Sequence, residues 1–205
     1  MNPARLKTAY EILNRDPILK TVIAQTGRLR LPPKREIYSS LLQSIVYQQL
    51  STKAADTIWN RFLDLFPERN PGHAGLLRCD ATFLRQAGIS TQKANYLINI
   101  AQAAMQGMFH PKILSEMDDE SLINHLSTIK GVGRWTAQMS LLFSLGRPDV
   151  FPAEDLGIRS AIVQLYELTC NGKHLTNRIT EISENWKPYR SLATLHLWKF
   201  RDSTK

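Results

Sequence analysis

The chain has 205 residues, of which 43% are hydrophobic, as in an ordinary globular protein with one domain or two closely packed lobes. Its 26 lysine and arginine residues outnumber 18 aspartate and glutamate residues, and the net charge of +8 favours a polyanionic partner, although a basic solvated surface explains it as well. No run approaches the roughly 18 apolar residues of a membrane span. Cys79 and Cys170 lack the paired spacing of a zinc site or an iron–sulfur cluster.

Charged residues interrupt the N-terminal segment at Arg5, Lys7 and Glu11, so this segment lacks the apolar core of a secretion signal. We therefore expect reduced thiols and an intracellular location. That location would be the cytoplasm and nucleoid of a bacterium, or the nucleus of a eukaryote. No association with a membrane is expected.

Apolar residues recur with helical spacing along almost the whole chain, and no pair of strands with an Asn-Gly or Asp-Gly turn is found. The sequence therefore predicts an all-α fold. Capping residues, glycines and prolines set the predicted boundaries. The predicted helices begin with two within 1–31 and one capped by Ser51, which a loop at Pro67 and Pro71 follows. Next come a short helix from Asp80 to Gly88, a helix from Ser90 or Thr91 to Gly107 and a helix from Asp118 to about 128. The last three helices cover about 155–168, 176–186 and 191–201.

A glycine hairpin lies between two apolar helical runs, at residues 129–137 (Ile-Lys-Gly-Val-Gly-Arg-Trp-Thr-Ala). The second helix begins there, and the exposed N–H groups of a helix N-terminus form a ready anion site. Gly131 and Gly133 present no Cβ, so we expect the backbone to approach a phosphate closely at both. Val132 is expected to fill the apolar gap between the helices. Taken alone, the glycines are explained as well by an ordinary turn between helices.

Three further segments are informative when they are taken together with the hairpin. They are 47–55 (Tyr-Gln-Gln-Leu-Ser-Thr-Lys-Ala-Ala), 147–159 (Arg-Pro-Asp-Val-Phe-Pro-Ala-Glu-Asp-Leu-Gly-Ile-Arg) and 186–191 (Trp-Lys-Pro-Tyr-Arg-Ser). With the hairpin, they resemble the alkylpurine (3-methyladenine) DNA glycosylases of the helix-hairpin-helix base-excision superfamily. The resemblance covers roughly residues 38–200 and is far more specific than any one segment.

The resemblance implies a two-lobed helix-hairpin-helix glycosylase fold with the active site in the cleft between the lobes. Residues 1–205 would form a single helical glycosylase domain, with 38–115 as one lobe and 1–37 packed with 116–205 as the other. Some relatives carry an additional N-terminal α/β domain, whereas about 37 residues precede the matching region here. We therefore expect a compact form of the enzyme.

The resemblance places Asp155 at the position of the family's catalytic aspartate. Breaking an N-glycosidic bond develops positive charge on the sugar, and a carboxylate facing the anomeric carbon stabilises that transition state. Glu154 would point elsewhere. From the residues alone, Asp155 is equally well read as the N-cap of the helix that follows it, and the two roles can coexist.

Relatives that also cut the DNA strand carry a lysine nucleophile just after the hairpin, which forms a Schiff base with the sugar. This sequence has Trp135 there, and Lys130 precedes the hairpin on the wrong side for attack. The resemblance therefore implies a monofunctional enzyme that leaves an abasic site.

Purines methylated at N3 or N7 are cationic, leave as neutral bases and are attracted to aromatic faces. The resemblance puts Trp198 at the stacking position of the substrate pocket, with Trp135 and Met139 on the facing helix. The alternative is that Trp198 only packs in a core, because Leu195 and Phe200 lie near it on an apolar stripe.

The turn at 48–51 is where the family inserts an apolar residue into the base stack, which makes Leu50 the expected wedge. Gln48 and Gln49 can bond to base edges, although a plain junction between helices explains this turn as well. Lys53 and Arg134 are expected phosphate contacts. The complete expected DNA-binding set is Gln48, Gln49, Leu50, Ser51, Lys53, Gly131, Gly133, Arg134 and Thr136.

Family hairpins also often hold a monovalent cation, and the backbone carbonyls of Ser127, Ile129 and Gly131 would bind Na⁺ or K⁺ here. We expect no required cofactor and no iron–sulfur cluster. The expected partner is double-stranded DNA containing alkylated bases, bound by a monomer. Two other interpretations stay open, a non-catalytic helix-hairpin-helix DNA-binding module and a glycosylase for oxidised or mismatched bases.

Overall fold

The structure is a computed structural model that describes residues 1–203, except for the side chain of Thr52. All regular secondary structure in this range is helical, which confirms the predicted all-α fold. No helix in the same range is long and apolar enough to cross a membrane. The helices are α1 (Pro3–Leu13), α2 (Pro17–Thr26), α3 (Ile37–Tyr47), α4 (Thr52–Asp64), a 3-10 turn (Pro67–Arg69), α5 (His73–Leu76), α6 (Ala81–Arg85), α7 (Thr91–Met105), α8 (Pro111–Glu116), α9 (Asp119–Ser127), α10 (Arg134–Phe143), α11 (Leu156–Leu165), α12 (Gly172–Glu184) and α13 (Arg190–Ser203).

The predicted capping residues begin and end the helices as expected. The side chains of Ser51, Asp80 and Ser90 accept hydrogen bonds from the first-turn N–H groups of α4, α6 and α7. Gly88 and Gly107 follow helix ends with φ of +90° and +77°, the left-handed conformation that glycine adopts without strain. Helix α12 begins at Gly172, four residues before the predicted start, and the short α5 and α8 carry too little periodicity to be recognised from sequence.

The chain forms two compact units, which we call the middle unit (residues 35–140) and the terminal unit (Met1–Lys34 with Leu141–Lys205). The sequence grouped 116–140 with the chain termini, whereas the structure groups these residues with 35–115. The reason is local packing. Asn99 Nδ2 on α7 donates to the Lys130 carbonyl at 3.0 Å, and a ring nitrogen of His125 lies 3.1 Å from the Met108 carbonyl.

The terminal unit has one apolar core to which α1, α2, α11, α12 and α13 all contribute. Asp16 ties this core together, because its Oδ1 caps α2 while its Oδ2 accepts hydrogen bonds from Tyr166 Oη at 2.5 Å and from the indole of the fully buried Trp186 at 2.9 Å. In the middle unit α7 is central and packs against α3, α5 and α6.

Candidate active site and nucleic-acid interface

Asp155 lies at the N-terminus of α11 in the terminal unit, and its side chain is half-buried. Its Oδ1 accepts a hydrogen bond from the Ile158 N–H at 2.9 Å and a second from Trp198 Nε1 at 3.0 Å. The N-cap interpretation is therefore confirmed, and it leaves the catalytic one open, because capping fixes the carboxylate in place. The two donors hold the side chain from α11 and from α13.

An aromatic pair adjoins this carboxylate. The rings of Trp198 and Phe143 are stacked, with centroids 5.9 Å apart and planes 12° from parallel. Phe143 is 37% exposed, which is high for a phenylalanine. Phe143 is not among the residues predicted for the site. It nevertheless lies four residues after Met139, which itself lies four after Trp135, a spacing that recurs on one face of a helix.

Gly157 leaves room for the pairing of Asp155 with Trp198. A Cβ at residue 157 would lie 3.1 Å from Asp155 Oδ1, 3.1 Å from Arg201 Nη1 and 3.3 Å from Trp198 Cδ1. These separations are tighter than ordinary van der Waals contact, so a side chain there would push on the carboxylate and the indole together. Glycine at this position was not singled out from the sequence.

The loop that leads to Asp155 is fastened to the beginning of α13. Arg190 donates to both carboxylate oxygens of Asp149 at 2.8 and 2.9 Å. The Ser191 hydroxyl accepts from the Val150 N–H at 2.8 Å and donates to the Arg147 carbonyl at 2.7 Å. Helix α13 thus holds the loop at its beginning and, through Trp198, the carboxylate of Asp155 further along.

The glycine hairpin lies in the middle unit, and its two glycines have different surroundings. Gly131 has φ of +105°, and a Cβ there would lie 2.3 Å from Tyr96 Cγ. At Gly133, by contrast, no atom lies within 4 Å of an added Cβ. We expected both glycines to make room for a phosphate. At Gly131 the missing side chain makes room for Tyr96, whereas at Gly133 it leaves open space. Close approach of a phosphate to the backbone of either glycine stays a prediction. Val132 is buried between the helices, as expected.

Helix α10 begins directly after Gly133, whose carbonyl accepts from the Ala137 N–H at 3.0 Å. Glycine in this capping position has no side chain to bond the first-turn N–H groups, which suits an anion. Arg134 is exposed and donates to both oxygens of Glu120 at 2.6 and 2.7 Å, so a phosphate would have to share or replace that partner. This hydrogen bonding lowers the pKa of the Glu120 carboxyl.

Three other predicted residues lie on α10. Trp135 is 46% exposed and Met139 is buried, and both belong to the middle unit. Thr136 is only 3% exposed, so its side chain lies in the interior, and its assignment as a DNA contact stays a prediction. Its hydroxyl cannot reach a ligand on the surface, and only its backbone N–H remains available to the interface.

The turn between α3 and α4 has an unusual backbone. Gln48 follows the last residue of α3, Gln49 adopts φ of +56°, and Leu50 comes next with 38% of its surface exposed. A left-handed residue other than glycine is uncommon and costs roughly 1 kcal/mol or more. Ser51 then caps α4, and Lys53 is exposed in its first turn. The expected wedge is therefore an exposed apolar side chain beside a strained turn.

This turn and the hairpin border the same cavity of the middle unit, which has a volume of about 470 Å³. Residues 48 and 49 line it on one side and residues 127 and 129–133 on another, with the beginning of α7 between them. Two of the segments expected to contact DNA are thus neighbours in the structure. The residues that line this cavity include Gln48, Gln49, Lys93, Tyr96, Gly131 and Gly133.

The backbone carbonyls expected to bind Na⁺ or K⁺ belong to Ser127, Ile129 and Gly131, which border this cavity, and the bound ion stays a prediction. Among the described residues, no cluster of three or more histidine, cysteine, aspartate or glutamate side chains could hold a metal. The Ile129 carbonyl already accepts from the Val132 N–H at 2.9 Å and keeps a second lone pair. The buried Ser127 Oγ has no hydrogen-bond partner in the described part of the chain. An ion held by these oxygens would therefore find a polar, partly unsatisfied surrounding.

Comparison with known proteins identifies the family. Residues 42–188 match the family model "HhH-GPD superfamily base excision DNA repair protein". DNA-3-methyladenine glycosylase 1 of Schizosaccharomyces pombe is 37% identical over 168 residues, which are 81% of this chain and 73% of that protein.

Solved structures agree with the sequence match. A DNA-3-methyladenine glycosidase from Bacillus halodurans superposes with a TM-score of 0.84 at 33% identity, covering 95% of this chain and 89% of the other. The 3-methyladenine DNA glycosylase of Schizosaccharomyces pombe, solved in complex with abasic DNA, gives 0.81 at 34% identity, with 94% and 95% covered. The chain therefore belongs to the HhH-GPD superfamily of base excision DNA repair proteins.

Proposed function

We propose that this protein is a monofunctional DNA-3-methyladenine glycosylase, which hydrolyses the bond between deoxyribose and a purine alkylated at N3 or N7 in double-stranded DNA. The observation that carries the proposal is the carboxylate of Asp155 held by the indole of Trp198, which itself stacks on Phe143. Relatives named DNA-3-methyladenine glycosylase support the same activity.

Asp155 would act on the sugar. As the bond to the base breaks, the sugar approaches an oxocarbenium ion. A fixed negative charge beside the sugar stabilises this state more than the ground state, in which the sugar itself is uncharged. The two hydrogen bonds to Oδ1 keep the carboxylate from rotating, so little reorganisation is needed during the reaction. The same carboxylate can then orient the water that attacks the sugar.

The stacked pair of Trp198 and Phe143 would select the base. A purine alkylated at N3 or N7 carries a positive charge, which the electron-rich faces of aromatic rings attract by about 0.5–2 kcal/mol. Such bases also leave without protonation by a general acid. An aromatic surface next to a carboxylate therefore suffices for their release, and we expect activity to survive chelation of divalent metals.

The tryptophan at position 135 indicates that the enzyme does not also cut the DNA strand. Cutting the strand requires an amine that forms a Schiff base with the opened sugar. The position just after the hairpin, where strand-cutting relatives carry lysine, is Trp135 in this chain. The product would therefore be an intact strand with an abasic site.

The middle unit would bind the DNA duplex. The N-terminus of α10 next to Gly133 suits a phosphate, and the exposed Leu50 can fill the space that the extruded base leaves in the stack. Lys53 is exposed and lies three residues after Leu50, so it can contact the DNA phosphate backbone beside this turn. These contacts do not depend on base sequence, as a repair enzyme that scans DNA requires.

A base-release assay tests the proposal. Wild-type protein incubated with methylated duplex DNA should release 3-methyladenine and 7-methylguanine, identified by chromatography, without strand cleavage until the abasic sites are treated with alkali. Asp155→Asn keeps a carbonyl oxygen for the Ile158 N–H and for Trp198, and asparagine caps helices as well as aspartate. This variant should fold and bind DNA normally but lose release by at least about 100-fold. Retained release would refute the role of Asp155, and no release by the wild-type protein would refute the function.

A further inference from the structure

We propose that Lys93 is a positioning residue that holds the turn of residues 48–50 in the shape that presents Leu50 to the duplex. The inference rests on the function proposed above, in which Leu50 enters the base stack. Lys93 belongs to the first turn of α7, far from Leu50 in sequence. It would act through the turn and not by touching the reacting atoms.

The geometry is specific. Lys93 Nζ donates one hydrogen bond to the Val46 carbonyl and one to the Gln48 carbonyl, both at 2.8 Å. These carbonyls flank the end of α3, where the last C=O groups have no partner within the helix. A cation at this end also interacts favourably with the helix dipole. Lys93 therefore satisfies groups at the point where the chain leaves α3.

The turn needs such a support because its backbone is strained. Gln49, directly after the Gln48 carbonyl, has φ of +56° without being glycine. A conformation of this kind persists only when the surrounding structure imposes it. The cavity of about 470 Å³ lies against residues 48 and 49, so packed side chains do not surround the turn on that side. The two bonds from Lys93 supply the constraint.

The surroundings of the Lys93 ammonium group fit this role. Burial lowers the pKa of its ammonium group, and within residues 1–203 no carboxylate lies within ion-pair distance of it. The carbonyl dipoles of Val46 and Gln48 therefore balance the charge in place of an acid. A lysine whose purpose was to meet phosphate would be expected to extend into solvent, as Lys53 does.

The test compares two substrates that differ in the cost of extruding the base. Lys93→Met keeps the aliphatic stem and removes both hydrogen bonds. Single-turnover release of 7-methylguanine from a paired site should slow by about tenfold, whereas release from an unpaired bulge should slow less than about twofold, because that base needs little help to leave the stack. Lys112→Met is the matched control, since it removes an exposed lysine of the same unit and should not change either rate.

A double variant separates positioning from general damage. If Lys93 acts through Leu50, Lys93→Met should add less than about twofold to the defect of Leu50→Ala on the paired site. Equal slowing on paired and bulged sites, or full additivity with Leu50→Ala, would overturn the inference. So would a slope of log affinity against log salt that falls by about one in Lys93→Met, because that result marks a lost phosphate contact. Failure of wild-type protein on both substrates would instead overturn the proposed function.

Discussion

Tyr96 occupies the space into which a side chain at Gly131 would extend, with only 2.3 Å between an added Cβ and Cγ of the ring. The hairpin residue two positions later, Gly133, has no neighbour within 4 Å of its added Cβ. One glycine of the hairpin therefore serves the fold, and the other leaves its space to whatever binds there. Substitution of each glycine in turn can separate these two roles.

Gly131→Ala should destabilise the protein, because alanine at φ of +105° is strained and its Cβ overlaps the Tyr96 ring. The expected loss is at least about 2 kcal/mol, measured by urea unfolding. Gly133→Ala meets no such contact, and its expected cost is only the roughly 1 kcal/mol of alanine in the capping position of α10. It should weaken binding to any duplex about tenfold and reduce the salt dependence of affinity. Equal stability losses in both variants would show that the two glycines do not differ in role.

Trp198→Phe should slow catalysis and leave the fold intact. Phenylalanine keeps a ring that can stack on Phe143 but lacks the Nε1–H that bonds Asp155 at 3.0 Å. A hydrogen bond to a charged group contributes about 1.5–3 kcal/mol, so single-turnover release of 7-methylguanine should slow about tenfold or more.

Phe143→Leu provides the complementary variant, because it keeps the hydrogen bond to Asp155 and removes the parallel ring. It should weaken binding of a duplex that contains the cationic base more than it slows release. If Trp198→Phe instead released bases at the wild-type rate, the indole would have only a packing role.

Local features of the sequence were enough to predict the helical fold, most capping residues and the position of Asp155 at a helix start. Each of these depends on residues within a few positions of one another, as with Asp155 and the Ile158 N–H. The same reasoning also identified the hairpin, whose glycines and following helix are contiguous.

Contacts between distant segments could not be predicted in this way. Trp198 was identified as a pocket residue, but its bond to Asp155 joins positions 43 residues apart. A glycine pattern does not tell whether the missing side chain accommodates a ligand or a neighbour such as Tyr96. Periodicity likewise left open that Thr136 faces the core, and it gave no sign that Lys93 would reach the end of another helix.

Asp16→Ala should be among the most destabilising substitutions in the terminal unit. It removes the cap of α2 and also the partner of the buried Trp186 indole and of the Tyr166 hydroxyl. A lost cap costs about 1 kcal/mol, and an unsatisfied buried donor costs about 1–3 kcal/mol more. Urea unfolding should therefore show a total loss of roughly 2–4 kcal/mol.

Asp80→Ala is the control for the capping part of this loss. Asp80 caps α6 through one bond to the Phe83 N–H at 2.7 Å and lies at the surface. It should cost about 1 kcal/mol. If both variants lost the same stability, the bonds of Asp16 to Trp186 and Tyr166 would contribute nothing.

His196 should make the protein less stable in mild acid. Its ring is fully buried on α13, with Nε2 at 3.1 Å from the Tyr10 hydroxyl and Nδ1 at 2.6 Å from Thr26 Oγ1. Burial, with a smaller contribution from the charge of Lys199, lowers the pKa of His196 to about 4. In the unfolded chain the same histidine has a pKa near 6.5.

The sign of the pH effect follows from these two values. Between about pH 6.5 and pH 4 the unfolded chain binds a proton at His196 that the folded protein does not, so acid favours unfolding. The lowered pKa of His196 therefore contributes about 3 kcal/mol to the free energy of unfolding. This contribution is fully present above pH 6.5 and is lost as the pH falls through 4. His196→Gln should be less stable at neutral pH, because it disturbs the bonds to Tyr10 and Thr26, but its stability should fall less steeply in this range. His174→Gln, at an exposed site of the same unit, controls for the exchange of residue type. Parallel curves of unfolding free energy against pH for wild type and His196→Gln would show that another group causes the acid sensitivity.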